Sequence, residues 1–216
     1  MLIVNASPRT SGKTTDTAWF GHALQEHGYD VEGFDADHSM QFWAWSQPGA
    51  GSFSFEVHLK ATSRFHEEVE LPEGKINLVD CGHSENHPAI TDSLFRVADL
   101  VILHLAPTEA DWLRVEKPVD DTPFRDIIKR SAVFRADGKP APTWVLLNRC
   151  NPSSPRDKGM TKFYAERMEN AGWSVFTTVI PTMGQYAHSM NFPITGAKDT
   201  PFGGLVVEMK EKGLLP

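Results

Sequence analysis

The stretch Leu2-Ile3-Val4-Asn5-Ala6-Ser7-Pro8-Arg9-Thr10-Ser11-Gly12-Lys13-Thr14-Thr15 decides how the rest of the chain is read. An apolar run feeds a short loop, and the loop opens into a helix-like pattern that stops near Gly28. A strand, a tight loop and a helix start in that order aim backbone N–H groups and the positive end of the helix at one spot, which suits a polyphosphate. Lys13 is then placed to reach the β- and γ-phosphates, and the Thr14 hydroxyl to ligate Mg2+. The expected nucleotide contacts are Pro8, Arg9, Thr10, Ser11, Gly12, Lys13, Thr14 and Thr15. The full loop pattern carries a glycine five residues before Gly12, where this chain has Ser7.

Outward from the loop, Ala18, Trp19, Phe20, Ala23 and Leu24 form a stripe broad enough to pack on a sheet. Val31 to Asp35 reads as a second strand, and Asp35 and Asp37 fall at its carboxyl edge, where ligands gather in open α/β sheets. Asp37 has two readings at this point: a site acid, or with Ser39 a cap for a helix from Met40 to Trp45. After the loop Gln47 to Ser52, Phe53, Phe55, Val57 and Leu59 alternate as a half-buried edge strand does. Thr62 to Gly74 is acidic and weakly patterned and is assigned to no element. Ile76 to Asp80 is a buried strand ending in a carboxylate, and in a nucleotide site an acid there holds Mg2+ through water. Cys81, His83 and His87 lack the second ligand pair that a zinc site needs.

Leu100 to Ala106 and Trp144 to Arg149 are continuous apolar runs suited to parallel strands covered on both faces, with His104 as a core histidine. A polar helix from Arg156 to Ala171 and a last strand from Val175 to Ile180 follow. Strands alternating with helices predict an α/β fold: a mostly parallel central sheet with helices on both faces, of the P-loop type. The segment from Pro201 to Pro216 predicts a closing helix with Leu205, Val206 and Met209 on one side. Glu208 and Glu211 make that helix a poor membrane anchor.

No proline- or glycine-rich linker divides the 216 residues, so residues 1–216 are expected to form a single domain. A hydrophobic content of 40% with 23% charged residues is ordinary for a soluble globular protein. Two cysteines, no leader-like start and no run near the roughly 18 apolar residues of a membrane span predict a reduced, cytoplasmic protein without membrane contact. The net charge of −7 is uneven: between Arg125 and Arg167 ten basic residues face four acids, a local +6. Such a segment can be a DNA footprint, with Lys129, Arg130, Arg156 and Lys158 as its candidate contacts, or two solvated helix faces.

With the order in view, the chain resembles the ParA/MinD group of deviant P-loop ATPases, most like the small ParA-type plasmid partition proteins. The resemblance is carried by Asn5 through Thr15, Gly28-Tyr29-Asp30-Val31, Asp35-Ala36-Asp37-His38-Ser39, the Asp80 strand end, Ala98-Asp99-Leu100-Val101-Ile102 and Asn148-Arg149. It implies a weak ATPase that uses ATP and Mg2+ and forms a homodimer with ATP. It also implies non-specific DNA binding and a centromere-binding ParB-like adaptor at the nucleoid. By the same resemblance Lys13 stabilises transferring phosphate charge, Thr14 binds Mg2+, Asp80 holds the metal's water shell, Asp37 positions the attacking water, and Asn148 lies near the adenine. The family's loop carries a second lysine where this chain has Pro8, and glycines in place of Arg9 and Thr10; Arg9 is the residue that could take over that lysine's catalytic role. The alternatives are a metabolite enzyme of the dethiobiotin synthetase-like type, a MinD-like regulator, and a non-hydrolysing nucleotide module.

Overall fold

The computed structural model describes the chain except Thr10, Ala50, Ser52, Val119, Asp120, Asp121 and Pro152. The expected loop contact at Thr10, and part of the Gln47 to Ser52 loop, therefore lie outside the described residues. In chain order the elements are β1 (Leu2–Ala6), α1 (Lys13–Glu26), β2 (Val31–Ala36), α2 (Gln41–Ser46), β3 (Val57–Leu59), α3 (Phe65–Glu68), β4 (Ile76–Cys81) and α4 (Pro88–Val97). They continue with β5 (Leu100–Leu105), α5 (Glu109–Glu116), α6 (Phe124–Ser131), β6 (Thr143–Cys150), α7 (Pro155–Asn170), β7 (Ser174–Pro181), α8 (Gly184–Ala187) and α9 (Pro201–Glu211). The seven strands form one sheet in the order β3-β2-β4-β1-β5-β6-β7, and every pairing is parallel.

The apolar runs occupy the middle of this sheet because both of its faces are covered. In β1, Leu2, Val4 and Ala6 enter the core under α4, α6 and α7, while Ile3 enters the opposite core under α1 and α9. β5 alternates in the same way, Val101, Leu103 and Leu105 on the first side and Leu100 and Ile102 on the second. The period of two therefore turns His104 toward α1. Helix α1 buries the expected stripe, and Gly28 at φ 91° ends it with its amide on the Gln25 carbonyl, a backbone turn that glycine enters without steric cost. At the far edge, Glu208 of α9 accepts from the Thr177 and Thr178 amides at 2.7 and 2.8 Å, which closes part of the open side of β7.

Three expectations are corrected. The edge strand β3 is shorter than the alternation implied, because Phe53 and Phe55 do not continue the ladder but pack with His22, Phe42 and Trp45 between α1 and α2. The unassigned segment holds a single turn, α3, anchored by Phe65 against Phe34. The basic segment is not a free +6: Arg125 pairs with Glu116, Lys129 with Asp126, Arg130 with Asp92, Arg135 with Asp137, Lys162 with Glu166 and Arg167 with Glu109.

Candidate functional site: a phosphate loop at the centre of the sheet

The site begins at the carboxyl end of β1, the central strand, where the loop from Ser7 to Gly12 enters α1. Gly12 stands at φ 91°, and a Cβ there would lie 3.3 Å from the Asn148 amide nitrogen, so the loop backbone is drawn tight by glycine. No side chain caps α1, which leaves the N–H groups of its first turn to a ligand. The Ser11 hydroxyl is buried without a partner among the described residues, a second group poised for an incoming acceptor. These features fit a polyphosphate.

Asp80 supplies the other half. Parallel pairing sets Asp80 beside Asn5 of β1 and beside Asp35 of β2, level with the base of the loop. Its two carboxylate oxygens are divided: the Lys13 ammonium lies 3.2 Å from Oδ1, and the Thr14 hydroxyl donates to Oδ2 at 2.7 Å. Burial pulls the Lys13 ammonium toward neutrality, but Asp80, with Cys81 and Asp37, outweighs it and holds the pKa above the usual lysine value. The sequence-predicted trio of Lys13, Thr14 and Asp80 is thus one contact.

Asp35 and Asp37 divide the labour that the sequence left open. Asp35 accepts from the amides of Asp37 at 3.0 Å and Trp43 at 2.9 Å, which fixes the loop after β2. Burial, with the Asp80 carboxylate beside it, pushes the Asp35 pKa up to about 6 despite those amides. Asp37 uses one oxygen to accept from the Ser39 amide at 2.9 Å, in the turn ahead of α2; the expected helix cap is not formed, because α2 begins at Gln41 after Met40 and its Trp43 amide goes to Asp35. Asp37 also lines a cavity of about 660 Å³ with Lys13 and Thr14. The far wall of that cavity carries His38, His83 and His87, with the His38 and His87 rings edge to face at 4.6 Å. The sequence did not signal this wall as a unit, because its histidines come from two separate loops.

The loop, its helix and the sheet order can now be compared with known structures. No protein-family model and no curated protein sequence matches the chain. Among solved structures, a Cyanothece McdA variant in complex with ATP superposes with a TM-score of 0.69 at 13% identity, over 97% of this chain and 96% of that one. A Borrelia burgdorferi B31 protein assigned to plasmid partition, bound to AMPPNP, gives 0.66 at 10% identity over 98% of both chains. Cobyrinic acid a,c-diamide synthase from Mycobacterium smegmatis, with an ATP analogue and magnesium, gives 0.58 at 13% identity over 98% and 96%. The chain has the fold of the ParA/MinD ATPases.

On the ParA/MinD fold the remaining residues fall as follows. Asn148, at the end of β6, is buried and donates to the Ser11 carbonyl at 2.8 Å and to the Asp16 carboxylate, so it braces the loop. It also lines a separate cavity of about 330 Å³ with Gly12, Pro181, Thr182 and Tyr186. Asp16 in turn meets His104 Nδ1 at 2.8 Å, and His104 Nε2 meets Asn5 at 2.8 Å. His104 is a fully partnered core histidine, as its sequence context implied. Arg9 does not face the loop's interior: it is 62% exposed and forms an ion pair with Glu85, which also lies 3.6 Å from Arg114. Arg149 was not among the expected site residues. It has the left-handed φ of 55°, and its Nε lies 3.7 Å from where a Gly12 Cβ would be.

Proposed function

We propose that the chain is a Mg2+-dependent ATPase of the ParA/MinD type. The observation that carries this reading is Asp80 receiving both Lys13 and Thr14 at the start of an uncapped helix. Phosphoryl transfer asks for positioning and charge neutralisation more than for covalent chemistry, and these groups provide both. Lys13 would neutralise phosphate charge, and the loop amides with Ser11 would hold the phosphates. Thr14 and Asp80 would hold Mg2+, Asp80 through water, and the ion would supply charge neutralisation between phosphate oxygens. Asp37 would orient the attacking water with its second oxygen, and Asn148 would wall the base cavity. Arg9, if released from Glu85, would add a guanidinium to the phosphates.

The finer reading is ATP-dependent homodimerisation, non-specific DNA binding at the nucleoid and a ParB-like adaptor, with slow hydrolysis. It is supported by the likeness to the B. burgdorferi protein and by two of the four candidate DNA contacts, Arg156 and Lys158, that have no acid partner among the described residues. A polarisation titration of random-sequence duplex, with and without ATP, tests it. Binding that requires ATP supports the reading; no binding at low salt with ATP present overturns it.

A second reading is favoured by the histidine wall. The cavity continues past the phosphate loop to His38, His83 and His87, which leaves room for an acceptor molecule beside the phosphates. The chain would then be a P-loop metabolite enzyme. Turnover that requires a metabolite and ignores DNA would select it.

A further inference from the structure

Seven of the chain's ten arginines lie against a carboxylate, from the Arg9 and Glu85 pair to that of Arg167 and Glu109. An eighth, Arg96, stands 4.0 Å over the Phe134 ring. In a chain with 28 acids, two arginines are left with neither an acid at ion-pair distance nor a ring among the described residues: Arg149 and Arg156. Both line one cleft of about 750 Å³, between the loop after β5 and the start of α7.

The cleft is built for an anion on several sides. Arg149 approaches from the end of β6, where its amide donates to Asn148 Oδ1 at 2.6 Å in the left-handed backbone conformation. Arg156 approaches from the first turn of α7, a 16-residue helix capped by Ser154. The hydroxyls of Thr108, Ser154 and Thr161 and the Asn151 amide add to the polar lining. One acid, Asp157, also lines the cleft, and its amide is held by Ser154 at 3.3 Å. Two guanidinium forks and a helix start outweigh that single carboxylate, and planar forks match the paired oxygens of a phosphate. The cleft is concave and takes its ligand singly, whereas a duplex presents a row of phosphates on a convex cylinder and is met by an extended surface.

We propose that this cleft binds a small molecule through a phosphate group, held between Arg149 and Arg156 with Thr108 and Ser154. The proposal rests on neither ATP hydrolysis nor DNA binding. It does compete with the DNA reading for the guanidinium of Arg156 and, since Arg149 also stands over Gly12 and lines the Asn148 cavity, with the nucleotide for that of Arg149; the experiment separates these.

The probe is glycerol 3-phosphate, titrated calorimetrically into the full chain, with succinate and a short random-sequence duplex as comparisons. Arg156 is exposed and has no acid partner among the described residues, so Arg156→Gln leaves the fold intact; Lys13→Ala disables the phosphate loop as an alternative site. The expected result is binding that survives Lys13→Ala and weakens about tenfold or more in Arg156→Gln, the loss expected of one charged hydrogen-bond partner. Binding abolished by Lys13→Ala and untouched by Arg156→Gln would assign the phosphate to the loop and overturn the proposal. Equal binding of succinate would overturn the ligand class. An Arg156→Gln variant that loses duplex affinity while binding glycerol 3-phosphate like the wild type would make the cleft a DNA contact instead.

Discussion

His22 of α1 keeps its Nε2 buried and, among the described residues, unpaired, its ring edge-on to Phe53 at 4.9 Å and 5.3 Å from Phe55. Burial lowers its pKa to about 4, with Glu26 opposing only weakly. The folded state thus takes up this proton later than the unfolded chain does. The stability His22 contributes is complete above the unfolded value of 6.5 and is lost as the pH falls from there through about 4. At about pH 5 the loss amounts to about 2 kcal/mol. Urea unfolding of His22→Leu should show that acid loss reduced by this amount against wild type; an unchanged pH dependence would remove His22 as its source. Asp37 makes a different prediction. Its oxygen on the Ser39 amide closes the turn before α2, a hydrogen bond worth about 1 kcal/mol. Asp37 also lines the Lys13 cavity, and the proposed water-orienting role predicts that Asp37→Ala should melt slightly earlier, keep its ATP affinity and hydrolyse slowly. Normal turnover per bound ATP would leave Asp37 as a turn residue alone.

Helix α9 offers a comparison within one element. A Cβ on Gly203 would stand 1.9 Å from the Lys198 carbonyl oxygen, whereas one on Gly204 meets nothing within 4 Å. Gly203→Ala must push α9 off the turn before it, at a cost of about 2 kcal/mol or more. Gly204→Ala should gain up to about 1 kcal/mol of helix propensity. Thermal melts of the two variants moving in the same direction would contradict this packing. Elements were legible in the sequence where burial alone sets the pattern: β1 and β5 read as apolar runs because both faces are covered, and Gly28 marked the end of α1. The Phe53 to Leu59 alternation misled because aromatic packing, and not strand pairing, holds Phe53 and Phe55. In the site, Lys13, Thr14 and Asp80 were legible because strand ends converge in a parallel sheet. Arg149 was not, since its place over Gly12 depends on a backbone turn that no residue type signals.

At the scale of the molecule the charge pattern was the least legible feature, because partners far apart in sequence cancel it. Arg130 meets Asp92, and Arg167 meets Glu109, across 38 and 58 residues. The free cations left near the basic segment are few, so DNA binding should be weak per chain, depend on an ATP dimer and fall steeply with salt. Reversing Arg156 and Lys158 to glutamate should weaken duplex binding strongly and reversing Lys129 and Arg130 less, with ATP binding unchanged; the opposite ranking would move the footprint to α6. All of this stands on the loop holding a nucleotide. The most direct measurement is a calorimetric titration of Mg-ATP into wild type and Lys13→Ala, with a folding check by circular dichroism. The account predicts one ATP per chain for the wild type and a loss of about a hundredfold or more in folded Lys13→Ala, as expected when a buried charge partner of the phosphates is removed. Equal ATP affinity in the two proteins would contradict it.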